Sequence, residues 1–217
     1  MSGVPPEGRE GARFLVREWL LTGQDRPRLV VGISGASGAV YGVRALEAAR
    51  ELGVETHLVV TKAAALTLSQ ELGLTPADLA AKADITHKLA DVGASIASGS
   101  FRTLGMIVAP CSVRTLSEIA TGVTSSLLTR AADVTLKERR PLVLMVRETP
   151  FHLGHLRTMV RVTEMGAIVA PPLPAFYAQP DSLEQMVDQS VGRALDLFGL
   201  DWKPVKRWGL NVGPIQE

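Results

Sequence analysis

Five short apolar runs recur along the chain, each followed by a small polar turn and, in most cases, a stretch with helical spacing. The runs are Leu29 to Ile33, Val54 to Val60, Gly105 to Ala109, Pro141 to Val146 and Ala167 to Ala170. A continuous run of Val, Ile and Leu, rather than an alternating one, is what a strand buried on both faces needs. Between the runs the spacing predicts helices over Val40 to Leu52, which Gly53 ends, and over Lys62 to Leu72. Thr75-Pro76 starts a third helix, Ser112 or Thr115 caps a fourth, a fifth covers Ser126 to Glu138, and Thr149-Pro150 opens a sixth. The last runs from Ser182 to Phe198 and places Leu183, Met186, Val187, Val191, Ala194, Leu195 and Phe198 on one face. Strands that alternate with helices imply an α/β protein: a mainly parallel sheet covered on both sides, in a Rossmann-like three-layer fold. Residues 84–100 read as a loop ending in Ser98-Gly99-Ser100. The length of 217 residues suits one domain over 28–200. It is preceded by an extension over 1–27, with a short amphipathic helix at Ala12 to Leu21, and followed by a tail over 201–217.

Charge and composition remove several classes of function. A net charge of +1 gives no basic footprint for nucleic acid. No apolar run is long enough to span a bilayer. The opening MSGVPPEGREGARF has no apolar core of a signal peptide. The one cysteine, Cys111, excludes an internal disulfide framework and suits a reducing cytoplasm. It reads as a buried thiol, because no histidine is placed beside it by sequence. His152 and His155 share a helix face but lack a third ligand, so no metal site is expected.

In a parallel sheet, ligands bind beyond the carboxyl ends of the strands. Those ends carry Ser34-Gly35-Ala36-Ser37-Gly38, then Thr61, then Cys111-Ser112 with Thr115, then Arg147-Glu148, and finally Tyr177. Small polar residues are ordinary in turns, but hydroxyls, an Arg–Glu pair and a tyrosine on five rims together describe a site for a phosphate-bearing ligand. Gly32, Gly35 and Gly38 are spaced by three, and Thr61 stands where a dinucleotide site has its acidic residue. A mononucleotide is therefore expected rather than NAD, its phosphate at a helix N-terminus. Arg130, Lys137, Arg147, Tyr177 and Arg193 are the cations and donors available to hold a dianionic phosphate. The plainer alternative for Arg130 is a surface pair with Asp133.

The motifs GISGASGAVYG, TKAA with Glu71 downstream, SGSF, PCSVRTL, LLTRAADVTLKERRPLVLMVRETPFHLGHL, GAIVAPPLPAFY and RWG cover residues 29–200 nearly without interruption, plus the tail. Together they resemble the flavin prenyltransferases, the UbiX/Pad family, whose fold is of the flavoprotein type. The resemblance implies that Gly35, Ala36, Ser37, Thr61, Ser112, Val113, Arg114, Thr115 and Arg147 hold FMN. It implies that Lys137, Tyr177 and Arg193, with Arg130 nearby, hold the isoprenyl phosphate, and that Ser37, Glu71, Lys137, Glu148 and Trp208 act in the reaction. It further implies that reduced FMN and dimethylallyl monophosphate are joined without a metal, in a dodecamer, and that the prenylated FMN passes to a UbiD-type decarboxylase. Two positions depart from the pattern. Val92 stands where some members carry tryptophan, and Ser125-Ser126 replace a more usual Asp-Asn or Asn-Asn pair.

Two other functions compete. A related FMN-dependent cysteine decarboxylase would need a histidine on the early helices, and Lys62 to Leu72 has none. A non-catalytic FMN carrier would need the flavin loops but not Lys137, Glu148 and Arg193 together. Tyr177 and Trp208 lie in proline- and glycine-containing segments, where aromatics commonly dock on a partner, so a homo-oligomer is expected.

Overall fold

The computed structural model describes residues 26–214, and the helix expected over Ala12 to Leu21 lies outside them. Six strands form one sheet: β1 (Arg28–Ile33), β2 (Glu55–Val60), β3 (Ile85–His87), β4 (Met106–Cys111), β5 (Leu142–Val146) and β6 (Ile168–Val169). Their order is β3-β2-β1-β4-β5-β6, and every neighbouring pair is parallel. The helices are α1 (Ala39–Glu51), α2 (Lys62–Leu72), α3 (Pro76–Ala80), α4 (Val113–Thr121), α5 (Leu127–Lys137), α6 (Leu153–Glu164) and α7 (Leu183–Leu195).

The two-residue period of a strand divides the core. Leu29, Val31 and Ile33 of β1 pack on the face covered by α1, α2 and α7, with Leu46, Leu68, Val191 and the fully buried Phe198. Val30 faces the opposite layer, where α4, α5 and α6 contribute Leu116, Leu128 and Val162 against Met106, Val108 and Leu144. All residues of β4 and β5 are buried, as their unbroken apolar runs require.

Three local expectations are corrected. β3 lies inside the segment read as a loop. It has three residues, with Ile85 and Thr86 exposed, so no apolar run marks it, and it is held by pairing with β2. Thr149-Pro150 does not open α6. The helix starts at Leu153, where the His152 imidazole accepts from the N–H groups of Gly154 (3.0 Å) and His155 (3.4 Å). The last helix ends at Leu195, and Asp196–Phe198 tightens into a 3₁₀ turn. Beyond it, Trp202 and Val205 are buried against the domain, and Trp202 Nε1 donates to Glu51 at 2.7 Å.

Where β2 pairs with β3, the buried His57 meets the partly buried His87. His57 Nδ1 lies 2.9 Å from His87 Nε2, and His57 Nε2 lies 3.0 Å from Glu55, which also accepts from Arg28. Phe101 stands edge-on to the His57 ring. Burial pushes the His57 basicity below the ordinary value of 6.5, against the pull of Glu55 and Asp84 and with that of Arg28. His87 is lowered by burial and by its neighbour His57, with Asp91 opposing. Both folded values lie below the unfolded one, so the neutral rings add stability that is fully present above 6.5 and is lost as pH falls below it. The melting temperature is therefore expected to drop as pH is lowered from 6.5, before the carboxylates titrate. His87→Gln should make that slope shallower. A melting temperature that stays flat through this interval would contradict the assignment.

Candidate active site

Between β1 and β4 the strand order reverses, so the connections leaving their carboxyl ends diverge and open a crevice. A cavity of about 660 Å³ occupies it, a size suited to a cofactor-sized ligand. All the residues expected to hold a mononucleotide line it: Gly35, Ala36, Ser37, Thr61, Ser112, Val113, Arg114, Thr115 and Arg147. Glu148 joins them at the same rim.

Local chemistry explains this convergence. Three helix N-termini open on the cavity, each capped by a hydroxyl. Thr61 accepts from Ala64 N–H at 3.1 Å, Ser112 from Thr115 N–H at 3.3 Å, and Ser126 from Thr129 N–H at 3.4 Å. Their uncapped N–H groups and helix dipoles favour an anion. Ser34, 1% exposed, cross-links the two loops: its hydroxyl donates to Pro110 O at 2.9 Å and accepts from Ser112 N–H at 2.7 Å. Gly35 lets the first loop reach α2, since a Cβ there would lie 2.4 Å from Ala63 Cβ.

Glu71 does not line the cavity but secures its first loop. Its carboxylate accepts from Gly38 N–H (2.9 Å), from Ala39 N–H (2.9 Å) and from the Ser37 hydroxyl. Burial alone would raise its pKa. The Ser37, Ala39 and Gly38 hydrogen bonds and the Arg147 charge outweigh that and hold it below the ordinary carboxylate value. Glu71 is thus an ionised acceptor tied to Ser37. Burial pushes the Cys111 thiol up to about 12, so it is no nucleophile. Among the described residues no cluster of metal-ligating side chains occurs.

Several lining residues escaped the sequence reading: Lys62, Leu89, Glu118, Leu128 and Thr129. The Ser126–Thr129 capping pair was a signal for the last of these. Ser125 donates to Glu118, which also pairs with Arg114, so α4 carries its own ion pair along the cavity wall.

The residues expected to hold the second phosphate are not brought together within one protomer. Arg130 pairs with Asp133 at 2.6 Å, the plainer of its two readings. Lys137 pairs with Glu138 and lies against the Ser98–Ser100 loop, where a Cβ on Gly99 would be 2.6 Å from its Nζ. Arg193 pairs with Asp196 beside a second cavity of about 250 Å³. Tyr177 and Trp208 meet edge-on at 5.9 Å, both largely exposed.

Comparison with known proteins agrees with this geometry. The family model described as Flavoprotein matches residues 20–194. The flavin prenyltransferase UbiX of Escherichia coli (strain K12) is 58% identical over 174 residues, which cover 80% of this chain and 92% of that protein. The crystal structure of AnUbiX (PadA1) in complex with FMN and dimethylallyl pyrophosphate superposes with a TM-score of 0.83 at 51% identity, over 84% of this chain and 97% of that one. The dodecameric FMN-dependent UbiX-like decarboxylase from Escherichia coli O157:H7 gives a TM-score of 0.81 at 48% identity, over 83% and 98% of the two chains. On the family model, on sequence identity over most of its length and on the superposed fold, this chain belongs to the flavoprotein family and, within it, to the flavin prenyltransferases.

Proposed function

We propose that this enzyme transfers a dimethylallyl group from dimethylallyl monophosphate to reduced FMN, yielding prenylated FMN for a UbiD-type decarboxylase in the cytoplasm. The observation that supports this most is the single cavity in which two anion-binding loops meet Arg147 and Glu148. A carrier would need the loops alone. Arg147 forms no ion pair with another described residue, so its charge is available to the ligand. The relatives' contents point the same way, since AnUbiX holds FMN and dimethylallyl pyrophosphate together.

In this reading Ser34 to Ser37 and Ser112 to Thr115 seat the flavin phosphate and ribityl chain. The allylic C–O bond breaks with its electron pair leaving on phosphate, and donors placed around that phosphate lower the barrier. Flavin N5 bonds to the allyl carbon, and its proton passes through the Ser37 hydroxyl towards the ionised Glu71 carboxylate. The remaining C=C bond then takes up a proton, a flavin ring carbon bonds to the cation so formed and loses its own proton, and Glu71 and Glu148 are the candidate groups for these two transfers. Arg130, Lys137, Tyr177, Arg193 and Trp208 complete the phosphate side through a neighbouring copy of the chain. We infer a homododecamer, as in the E. coli O157:H7 relative, because these residues are dispersed in one protomer.

Release of inorganic phosphate tests the reading. Phosphate should appear from dimethylallyl monophosphate only when reduced FMN is present, with oxidised FMN, reduced FAD and NADH failing to support it. Release without any flavin would mean a phosphatase instead. Faster release of pyrophosphate from dimethylallyl diphosphate would overturn the monophosphate assignment.

A further inference from the structure

We propose that Gln189 is a positioning residue which, together with Lys206, clasps the C-terminal segment and ties the segments that carry Tyr177 and Trp208 to the helix that carries Arg193. The proposal rests on the reading that these residues meet the isoprenyl phosphate.

Gln189 sits on α7 and is 4% exposed, although glutamine is a surface residue by preference. A buried amide needs partners at both ends, and this one has them. Its Nε2 donates to Lys206 O at 2.9 Å and to Tyr177 Oη at 3.3 Å, and its Oε1 accepts from Lys206 N–H at 2.9 Å. The two bonds to Lys206 imitate a strand pairing, so the side chain grips the backbone of the tail rather than a movable group. Lys206 returns the hold: its Nζ donates to Ala178 O at 2.8 Å and Gln179 O at 3.3 Å, in the turn that carries Tyr177. Helix, tyrosine turn and tail are thus tied at one point.

The tie matters because both aromatics stand largely in the open. Tyr177 is 41% exposed and Trp208 is 63% exposed, and their rings meet only edge-on. Arg193 lies one helical turn beyond Gln189 and shares Asp196 with Arg207 of the tail. The same helix therefore sets the tyrosine, the arginine and the strand of tail leading to the tryptophan. Without the clasp, substrate binding would have to order them, and affinity for the phosphate would fall. Gln189 does not line the 660 Å³ cavity, so flavin binding should not depend on it.

The test uses the full chain. Gln189→Leu removes the clasp from the helix side. Lys206→Met keeps the backbone bonds to Gln189 but removes the Nζ bonds to Ala178 O and Gln179 O, loosening the tyrosine turn from the tail side, and it leaves the buried helix face intact, which guards against misfolding of the first variant. Each is expected to raise KM for dimethylallyl monophosphate about tenfold, the effect of losing a buried hydrogen-bonded anchor. FMN affinity should stay unchanged, and trypsin should cut faster after Lys206 or Arg207 in Gln189→Leu and after Arg207 in Lys206→Met. Adding Tyr177→Phe to either should cause no further rise in KM, because the two changes act through one group. Additive effects, an unchanged KM with normal cleavage, or a parallel loss of FMN affinity would overturn the proposal. If Tyr177→Phe alone leaves KM unchanged, the phosphate role of Tyr177 fails, and unchanged cleavage in both variants would then sink the clasp as well.

Discussion

Glu148→Gln is expected to bind FMN as the parent does and to lose roughly 10²–10⁴-fold in turnover, the range for a general acid. Glu148 leaves β5 directly after Arg147, so the sheet fixes the backbone of both and their side chains diverge. Both line the cavity, and Glu148 is half-buried with its carboxylate accepting from Thr149 N–H at 2.9 Å. The competing account makes Glu148 an ion-pair partner for Arg130 or Lys137. Within the protomer those cations are already engaged, with Asp133 and Glu138 respectively. In the proposed reading Glu148 donates to the departing phosphate oxygen. Glutamine keeps the shape and much of the hydrogen bonding but has no proton to give. A fall smaller than about tenfold would remove the acid role, being below the range for such a group.

Gly35→Ala is expected to weaken FMN binding by about 10–100-fold, the equivalent of an overpacked contact. The new Cβ would lie 2.4 Å from Ala63 Cβ and 3.2 Å from Ala63 C, so the loop must retreat from α2. Retreat carries Ala36 and Ser37 with it, and with Ser37 goes its bond to Glu71. The cause is steric and local, so Ala63→Gly in the same chain should recover most of the affinity. Titration of flavin fluorescence measures both. Full affinity in Gly35→Ala, or no recovery in the double variant, would show that the close approach does not shape the site.

The parts of this protein legible in its sequence are those that obey a strong local rule. β4 and β5 declare themselves because a strand buried on both faces cannot hide its apolar run. The loops lining the cavity declare themselves because Thr61 and Ser112 cap helices where strands end. β3 has no such signal, being three residues long and mostly exposed, and it exists by pairing with β2. The start of α6 was hidden because His152 caps it, a role the sequence reading gave to the preceding Thr-Pro. Glu71 was legible as a candidate but not as the acceptor that secures the Ser37 loop, since its partners Gly38 and Ala39 lie some thirty residues away. Gln189 was not legible at all, because only the fold brings Tyr177 and Lys206 to it. The dispersal of Arg130, Lys137, Tyr177 and Arg193 is likewise a matter of tertiary placement that no spacing encodes.

The most direct test is the mass of the flavin product. The enzyme is incubated anaerobically with reduced FMN and dimethylallyl monophosphate, and the extracted flavin is analysed by mass spectrometry. The account predicts a flavin heavier than FMN by one five-carbon isoprenyl unit, formed by the parent chain and strongly reduced in Glu148→Gln. Recovery of unmodified FMN alone from the parent, with the protein folded and flavin-bound, would contradict it.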